Sequence, residues 1–441
     1  MGAALVAAAV VILRVDLEPE PARPPPPSAE PPSAERPSAE PPVPPAAPPG
    51  EGLAVGLTET RPTLLWTQAA QPALPAEFAP WRDRLAALKP RWFRLLVDWA
   101  VLQPDPAQPP NWSLHNDGCE RGRPPCLAFD GVRDVLRAVA SQQRAVPGTF
   151  EVLVSIYGVP PWAAAPPGGC ERPDTGPRSR PITDQGLVAY RALIRSLDAL
   201  ARAEGVTVRW WSPWNEPNGP LFVSPQRAVC DRGAPLVSPA VFTRLARAMR
   251  AELRDLPGDQ RIVLAELAGL PGPELRGGGV EEFYAALPDD VLCSAAVYAQ
   301  HAYAERGRPE SAQAPVDQLE TALDRRPCAR EKPIWITETG VGGQDVGGDR
   351  TGGLATLRRD CRALDAALRR WDLDPRVEAA FQYTFRDDPA FPVGLVDVGL
   401  TRPWPAYDLW LAWGGDRPPA GPAPALPAAC AAGADADGAP G

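Results

Sequence analysis

Polar residues that could do chemistry follow short apolar segments at several points along the chain. Two of them are glutamates, Glu216 within Trp-Asn-Glu-Pro-Asn and Glu338 within Ile-Thr-Glu-Thr-Gly. Arg94 lies within the second apolar segment, and other polar or aromatic residues end or follow such segments, namely Asp98, Trp99, Tyr157, Asn215, His301, Tyr303 and Tyr383. If the apolar segments are strands of one parallel barrel, these side chains meet at the carboxyl ends of the strands, where such barrels carry their active sites.

Two carboxylates that face each other across a barrel mouth suit the cleavage of a glycosidic bond. In the retaining mechanism one carboxyl group donates a proton to the leaving oxygen, and the other attacks the anomeric carbon. The two groups should then lie about 5 to 5.5 Å apart. A nearby arginine keeps the attacking carboxylate charged, and a tyrosine hydroxyl can hydrogen-bond to it. Arg94 and Tyr303 fit these two places.

Each of these residues also has a purely structural interpretation. Asn-Glu-Pro occurs in ordinary turns, Arg94 could form a strand-end salt bridge, and His301 could be a buried histidine with satisfied hydrogen bonds. Trp99 and Trp162 could stack on sugar rings or merely close the barrel rim. The further carboxylates near the mouth could bind substrate, or they could hydrogen-bond to Arg94, to loop amides or in turns: Asp98, Glu266, Asp387 and Asp388. The pair of glutamates at strands four and seven favours the functional interpretation.

The elements that must position these residues repeat in a regular order. From residue 50 onward, short apolar runs alternate with longer stretches of helical period, which is typical of βα units. Eight strands are predicted, beginning at Leu53, Trp92, Phe150, Val208, Arg261, Ala295, Pro333 and Val377. Helix starts are predicted at Asp130, at Thr183, and at Ser238 as the N-cap before Pro239. Eight such units predict an α/β protein with a closed (β/α)₈ TIM barrel rather than an open doubly wound sheet.

The two ends of the 441-residue chain are too rich in Pro, Ala and Gly to belong to a core. We predict an apolar signal- or anchor-like segment over 1–18, a Pro-rich linker over 19–49, the barrel domain over 50–417 and a low-complexity tail over 418–441. Residues 2–15 have the length of a signal peptide and fall short of the roughly 20 residues that span a bilayer. The protein is therefore expected to be secreted, or tethered to a membrane through this segment alone.

The composition limits the classes of partner and cofactor that the protein is expected to bind. A net charge of −9 argues against nucleic acid and anionic membrane surfaces, and an oligo- or polysaccharide is a suitable substrate. Two histidines in the whole chain disfavour a zinc or iron site, and no phosphate-binding glycine motif is present. We expect neither a metal nor an organic cofactor. Eight cysteines without C-x-x-C spacing predict disulfides, which we pair as Cys119–Cys126, Cys170–Cys230, Cys293–Cys328 and Cys361–Cys430.

The two glutamate motifs together resemble the signatures of clan A glycoside hydrolases. The resemblance implies that Glu216 is the acid/base, that Glu338 is the nucleophile, and that Asn215 binds the sugar 2-hydroxyl. The strand-two arginine and the strand-six His-x-Tyr of that clan match here at Arg94 and at His301 with Tyr303. The match spans nearly the whole barrel in the right order.

Two positions depart from the pattern of family 5 within that clan. The strand-three histidine is replaced, with Tyr157 the nearest candidate, and the strand-eight tryptophan appears as Tyr383. Similarity to families 5 and 39 is about equal, with a slight lean to the second. The prediction is hydrolysis of a β-linked oligo- or polysaccharide with retention. The alternatives are transglycosylation on the same barrel and a non-catalytic carbohydrate-binding or cell-wall protein.

Overall fold

Eight parallel strands close into a barrel in the part of the chain that the computed structural model describes. The described residues are 52–67, 70, 76–113, 131–270, 272, 274, 276–304, 307–342, 353–389, 391–415, 417 and 421–431. The predicted N-terminal segment, the Pro-rich linker, Asp130 and the Cys119–Cys126 pair lie outside these residues.

The strands follow chain order around the barrel, and β8 closes it by pairing with β1. They are β1 (Ala54–Thr58), β2 (Trp92–Asp98), β3 (Glu151–Tyr157), β4 (Val208–Ser212), β5 (Arg261–Leu267), β6 (Val297–His301), β7 (Ile334–Thr339) and β8 (Val377–Tyr383). All eight predicted strands are present, and the predicted (β/α)₈ fold class is confirmed.

Helices connect successive strands. Those within the described residues are α1 (Pro62–Leu65), α2 (Ala79–Ala87), α3 (Trp99–Leu102), α4 (Val132–Ala145), α5 (Asp184–Ala203), α6 (Ser238–Asp255), α7 (Val280–Ala285), α8 (Asp289–Leu292), α9 (Pro309–Asp324), α10 (Leu354–Asp372) and α11 (Pro405–Trp413). Thr183 caps α5 as predicted, because its hydroxyl accepts from the Gly186 amide at 3.1 Å. The cap predicted at Ser238 is wrong by one residue: Val237 holds the cap position, and the Ser238 hydroxyl donates to Gln226 Oε1 instead.

The barrel interior near the amino ends of the strands is filled by three tryptophans. The ring centroid of Trp335 lies 4.4 Å from that of Trp92 and 4.7 Å from that of Trp210. Side chains two residues apart on a strand share a face, so Arg94 enters the barrel above Trp92. The tryptophans thus form an apolar floor, and polar residues occupy the carboxyl-terminal half.

Within the described residues, three disulfides join loops and helices on the outside of the barrel. They are Cys170–Cys230, Cys293–Cys328 and Cys361–Cys430, and they confirm three of the four predicted pairings. The last one fixes residues 421–431 against α10, where Arg362 also donates to the Cys430 carbonyl at 3.0 Å. Disulfides are typical of proteins that fold outside the reducing cytosol. Within the described ranges, no helix has the length and apolar character of a membrane span.

Candidate active site

Arg94 lies at the centre of the polar half of the barrel. Its side chain is fully buried, and its guanidinium reaches three other strands or strand ends. Nη1 lies 2.5 Å from Glu338 Oε1, Nε lies 2.6 Å from Glu266 Oε1, and Nη2 lies 2.6 Å from Asn215 Oδ1. Burial lowers the pKa of Arg94, but the charges of Glu266 and Glu338 more than offset this and raise it overall. The guanidinium is therefore a fixed positive charge that orients both carboxylates.

Glu338 lies on β7, and both of its carboxylate oxygens are held by donors. Arg94 binds Oε1, and the Tyr303 hydroxyl donates to Oε2 at 2.6 Å. Burial and the neighbouring negative charge of Glu338 raise the pKa of Tyr303 well above its usual range, so its hydroxyl keeps its proton. Both contacts predicted for this carboxylate are present in the structure.

Glu216 lies in the turn that follows β4, in a backbone conformation that non-glycine residues rarely adopt. Its φ angle is 38°, in the left-handed region. The Glu216 amide donates to the Glu266 carbonyl at 3.2 Å, and the Glu216 carbonyl accepts from the Gly219 amide at 2.8 Å. Such backbone strain concentrates at functional sites. Its side chain is 20% exposed, compared with 10% for Glu338.

His301 ends β6 and lies between the two glutamates. Its Nδ1 is 2.7 Å from Glu216 Oε1 and 3.4 Å from Glu338 Oε2. Burial lowers the pKa of His301, but the charge of Glu338 and the hydrogen bond to Glu216 raise it above its ordinary value. The two carboxylates therefore favour the protonated form of the imidazole.

The two glutamates and His301 form a close cluster. One oxygen of Glu216, one oxygen of Glu338 and one imidazole nitrogen all lie within 4.8 Å of one another. A metal ion would need these same atoms, but Arg94 and Tyr303 already engage both oxygens of Glu338. We therefore interpret the cluster as a hydrogen-bonded network. Its short oxygen-to-oxygen separation fits a pair of carboxylates that act on one bond from opposite sides, without a water between them.

Two further predicted residues, Tyr383 and Tyr157, lie at the carboxyl ends of β8 and β3. Tyr383 ends β8, and its hydroxyl lies 3.5 Å from Asp388 Oδ2. Burial and the charges of Asp388 and Glu338 raise the pKa of Tyr383 well above its usual range, so its hydroxyl stays neutral. Tyr157 ends β3, is half-buried, and packs edge-on against Phe222 with 6.0 Å between ring centroids.

Phe222 lies in the loop after Glu216 and packs against Tyr157, a contact that the sequence analysis missed. It follows Glu216 by six residues in the Asn-Gly-Pro-Leu-Phe loop, and its amide donates to the Gly219 carbonyl at 3.2 Å. The Asn215 amide donates to the Ile156 carbonyl at 3.0 Å, which brings the end of β3 beside Glu216. The sequence feature that could have identified Phe222 is an aromatic residue in the loop directly after Glu216, the predicted acid.

Trp99 and Trp162 were predicted to contact substrate, but both donate their indole N–H groups to Gln103. Trp99 is fully buried at the start of α3, where its indole nitrogen donates to Gln103 Oε1 at 2.8 Å. It packs edge-on against Trp162 and tilted against Tyr190. The prediction that Trp99 stacks on a sugar is therefore wrong, because α3 turns the ring into the barrel wall. Trp162 is half-buried, and its indole nitrogen donates to the Gln103 carbonyl at 2.8 Å.

Most of the remaining carboxylates serve the fold. Asp98 caps α3 and pairs with Arg178. Asp387 accepts from the Gly394 amide and from the Trp404 indole, both at 2.7 Å, and so stabilises a buried turn. Glu266 differs from them, since it is fully buried and bonded to Arg94.

No protein-family model matches the chain, and no curated protein matches it in sequence. Among solved structures, SrfJ from Salmonella typhimurium is similar with a TM-score of 0.51 and 11% identity, over 81% of this chain and 73% of that one. A family 39 glycoside hydrolase from the gut symbiont Bacteroides cellulosilyticus WH2 gives a TM-score of 0.49 and 14% identity, over 83% and 64%. The catalytic domain of GH30 xylanase C from Talaromyces cellulolyticus gives 0.49 and 11%, over 83% and 76%. The similarity to SrfJ supports the barrel fold.

Proposed function

We propose that the protein is a retaining clan A glycoside hydrolase that cleaves a β-linked oligo- or polysaccharide by double displacement. Glu216 acts as the acid/base and Glu338 as the nucleophile. The observation that carries the proposal is that an oxygen of Glu216 lies within 4.8 Å of an oxygen of Glu338 in one buried network. Retaining enzymes hold their carboxyl groups about 5 to 5.5 Å apart, whereas inverting enzymes need about 6.5 to 9.5 Å to admit a water molecule.

The contacts of the two glutamates support this division of roles. Glu338 accepts from Arg94 and from Tyr303, two groups that keep their protons, and such donors favour an ionised and oriented nucleophile. Glu216 has the more exposed side chain, and it is held through His301. A carboxyl group in that position can give a proton to a leaving oxygen and later take one from water.

The reaction then proceeds in two balanced steps. In the first step an oxygen of Glu338 forms a bond to the anomeric carbon while the glycosidic bond breaks, and the proton of Glu216 passes to the leaving oxygen. In the second step Glu216 removes a proton from water as the water oxygen attacks the anomeric carbon and displaces Glu338. Water and substrate are consumed, and both glutamates return to their starting forms.

Contacts to the sugar follow from the orientation of the surrounding groups. Arg94 donates to Asn215 Oδ1, so the amide nitrogen is the end of the Asn215 side chain that is turned away from the guanidinium. We assign this nitrogen to the sugar 2-hydroxyl. The Tyr383 hydroxyl, a neutral donor at the end of β8, is assigned to another hydroxyl of the same ring.

The leaving group must lie on the side of Glu216, because this residue protonates its oxygen. We assign to that side the loop after Glu216, with Phe222 half-buried and Leu221 59% exposed, and the half-buried Tyr157 that packs against Phe222. Rings and branched side chains of this kind accept the apolar face of a sugar or an aryl group.

Secretion through residues 2–15 is part of the same proposal, and the disulfides support it.

The proposal is tested by the stereochemistry of the first product. The protein would be incubated with 4-nitrophenyl β-glycosides and β-linked polysaccharides, and the anomeric proton of the released sugar followed by NMR before mutarotation. We expect the β-anomer to appear first. An initial α-anomer would contradict retention, and binding without turnover of any substrate would favour the non-catalytic alternative. Glycosyl transfer to an added acceptor in place of hydrolysis would favour the transglycosylase.

A further inference from the structure

Glu266 contacts Arg94, which binds Glu338, and it also contacts the backbone of Glu216. It has no role in the reaction described above. It lies on β5 and is fully buried. One side-chain oxygen accepts from Arg94 Nε at 2.6 Å, and the other accepts from the Ser155 hydroxyl. The Glu266 carbonyl accepts the amide of Glu216 at 3.2 Å. One residue therefore contacts both the cation that holds Glu338 and the backbone of Glu216.

The backbone around Glu266 is shaped to make these contacts. Ala265 has φ 83° and Glu266 has φ 37°, and the pairing of β5 with β6 shifts register between Leu264 and Leu267. Left-handed conformations at non-glycine residues are strained and persist only where the surroundings hold them. Glu216, with φ 38°, is joined to this segment by its amide hydrogen bond. The irregular end of β5 thus presents both a carboxylate and a carbonyl to the site.

The negative charge of Glu266 also affects Glu338, because both carboxylates bind Arg94. Arg94 carries one positive charge and lies between two carboxylates, Glu266 and Glu338. Burial raises the pKa of Glu266, but the charges of Arg94 and His301 and the hydrogen bonds from Arg94 and Ser155 lower it overall, so Glu266 is ionised. If Glu338 were the only anion beside the guanidinium, the full attraction of Arg94 would stabilise its negative charge and weaken it as a nucleophile.

We propose that Glu266 is a positioning residue that balances the charge of Arg94, leaving Glu338 nucleophilic, and that holds Glu216 in place through its carbonyl. The assignment of nucleophile and acid rests on the proposed function. The charge balance itself is a property of the folded protein and can be measured without any substrate.

His301 is a built-in reporter of that balance. The charged or titratable groups that face it are Glu216 after β4, Glu338 on β7, Arg94 on β2 and Glu266 on β5, and Tyr303 lies two residues further along the chain. The chain has two histidines, so the imidazole resonances can be assigned with the variant His115→Gln. Removing the negative charge of Glu266 should make His301 easier to deprotonate.

The first experiment is an NMR titration of the His301 imidazole in the full-length wild type and in Glu266→Gln. Glutamine keeps the size of the side chain, and it can accept from Arg94 and donate to Ser155. We expect the His301 pKa to fall by about one unit, the size of effect that loss of one buried charge within about 10 Å has at an effective dielectric constant near 20. An unchanged His301 pKa would overturn the charge-balance proposal.

Glu252→Gln is the matched control. Glu252 is also a buried carboxylate that accepts from arginine side chains, in this case Arg191 and Arg195, but it lies on α6 outside the barrel. This variant measures the general effect of removing a buried carboxylate from arginine pairs. The His301 pKa should stay at its wild-type value in Glu252→Gln, and an equal fall in both variants would contradict a specific role for Glu266.

Glu266→Asp separates charge from reach and also serves if Glu266→Gln does not fold. It keeps the negative charge but shortens the side chain by one methylene, so the His301 pKa should stay near the wild-type value. We expect kcat on the best 4-nitrophenyl β-glycoside to fall by about tenfold or more, because Arg94 is no longer held in position. A wild-type kcat, or a His301 pKa lowered as in Glu266→Gln, would overturn the positioning role. If the wild type cleaves no glycoside at all, the proposed function fails, whereas the NMR result still decides the role of Glu266.

Discussion

Arg94 and Glu338 form an ion pair of 2.5 Å between Nη1 and Oε1, inside a barrel where the guanidinium has no exposed surface. Removing one partner of a buried pair leaves an uncompensated charge, which is more costly than the pair itself is stabilising. A substitution at Glu338 therefore affects the stability of the fold as well as the activity. Activity measurements on Glu338 variants need a parallel measurement of folding, such as the melting temperature.

The first prediction concerns the two glutamates. Glu338→Ala should lose turnover by about 10⁴-fold or more, because it removes the nucleophile. Azide should restore activity to this variant and give an α-glycosyl azide, since the small anion attacks from the vacated face. Glu216→Ala should spare substrates with activated leaving groups, and with azide it should give the β-glycosyl azide. The measurement is NMR of the azide products, and the same product from both variants would contradict the assignment.

The second prediction concerns the hydrogen bond from Tyr303 to Glu338. Tyr303→Phe should lower kcat by about 10- to 100-fold, because hydrogen bonds to charged groups contribute about 1.5 to 3 kcal/mol. Tyr298→Phe is the matched control, because Tyr298 lies on β6, five residues before Tyr303, and its hydroxyl donates to the Leu292 carbonyl at 2.8 Å, away from the two glutamates. Steady-state kinetics on one substrate should show a loss of kcat in the first variant only. Equal rates in both variants would exclude Tyr303 from the reaction.

The third prediction concerns the leaving-group side. Phe222→Ala should raise KM several-fold for aryl glycosides, because aromatic packing contributes about 0.5 to 1.5 kcal/mol. The breakdown of the covalent intermediate should be unchanged, since the leaving group has departed by then. Val229→Ala is the control, because Val229 lies in the same β4–α6 loop and is 59% exposed. A change confined to the second step, measured by pre-steady-state kinetics, would place Phe222 on the other side of the scissile bond.

The fourth prediction concerns the pH dependence of stability. The pKa of His301 is raised in the folded state above its ordinary value of 6.5, so its charged form stabilises the fold. This contribution is fully present below pH 6.5 and is lost as the pH rises through the folded pKa. Comparing the wild type with His301→Gln by chemical denaturation, the difference in unfolding free energy should be largest near pH 5.5 and should shrink by pH 9. His115→Gln is the control, and a pH-independent difference for His301→Gln would contradict the raised pKa.

The parts of the fold that the sequence predicted well are those set by local patterns. All eight strands are continuous apolar runs, so their number and order could be found from periodicity alone. The cap at Thr183 was also found, because a threonine three residues before a backbone amide is a local feature. Ser238 failed as a cap because its hydroxyl found a partner twelve residues earlier in the chain, at Gln226.

Some residues of the candidate site could be predicted from the sequence and others could not, because the direction of a side chain also depends on local structure. Residues near the carboxyl ends of strands, such as Glu338 on β7 and His301 on β6, enter the mouth of any barrel with this strand order. Trp99 occupies a similar place in the sequence, but α3 begins there and rotates its side chain into the wall. The orientation of Glu266 depends on a bulge in β5, and the position of Phe222 depends on a loop, and neither can be read from apolar periodicity.

The most direct test of the central claim is the capture of a covalent intermediate. The full-length protein would be incubated with a panel of 2-deoxy-2-fluoro β-glycosides that carry good leaving groups, and its intact mass would be measured. We predict an increase by one fluoroglycosyl group, located by peptide mapping on Glu338. A label on another residue, or no label with a sugar that the enzyme demonstrably turns over, would contradict the double-displacement mechanism with Glu338 as nucleophile.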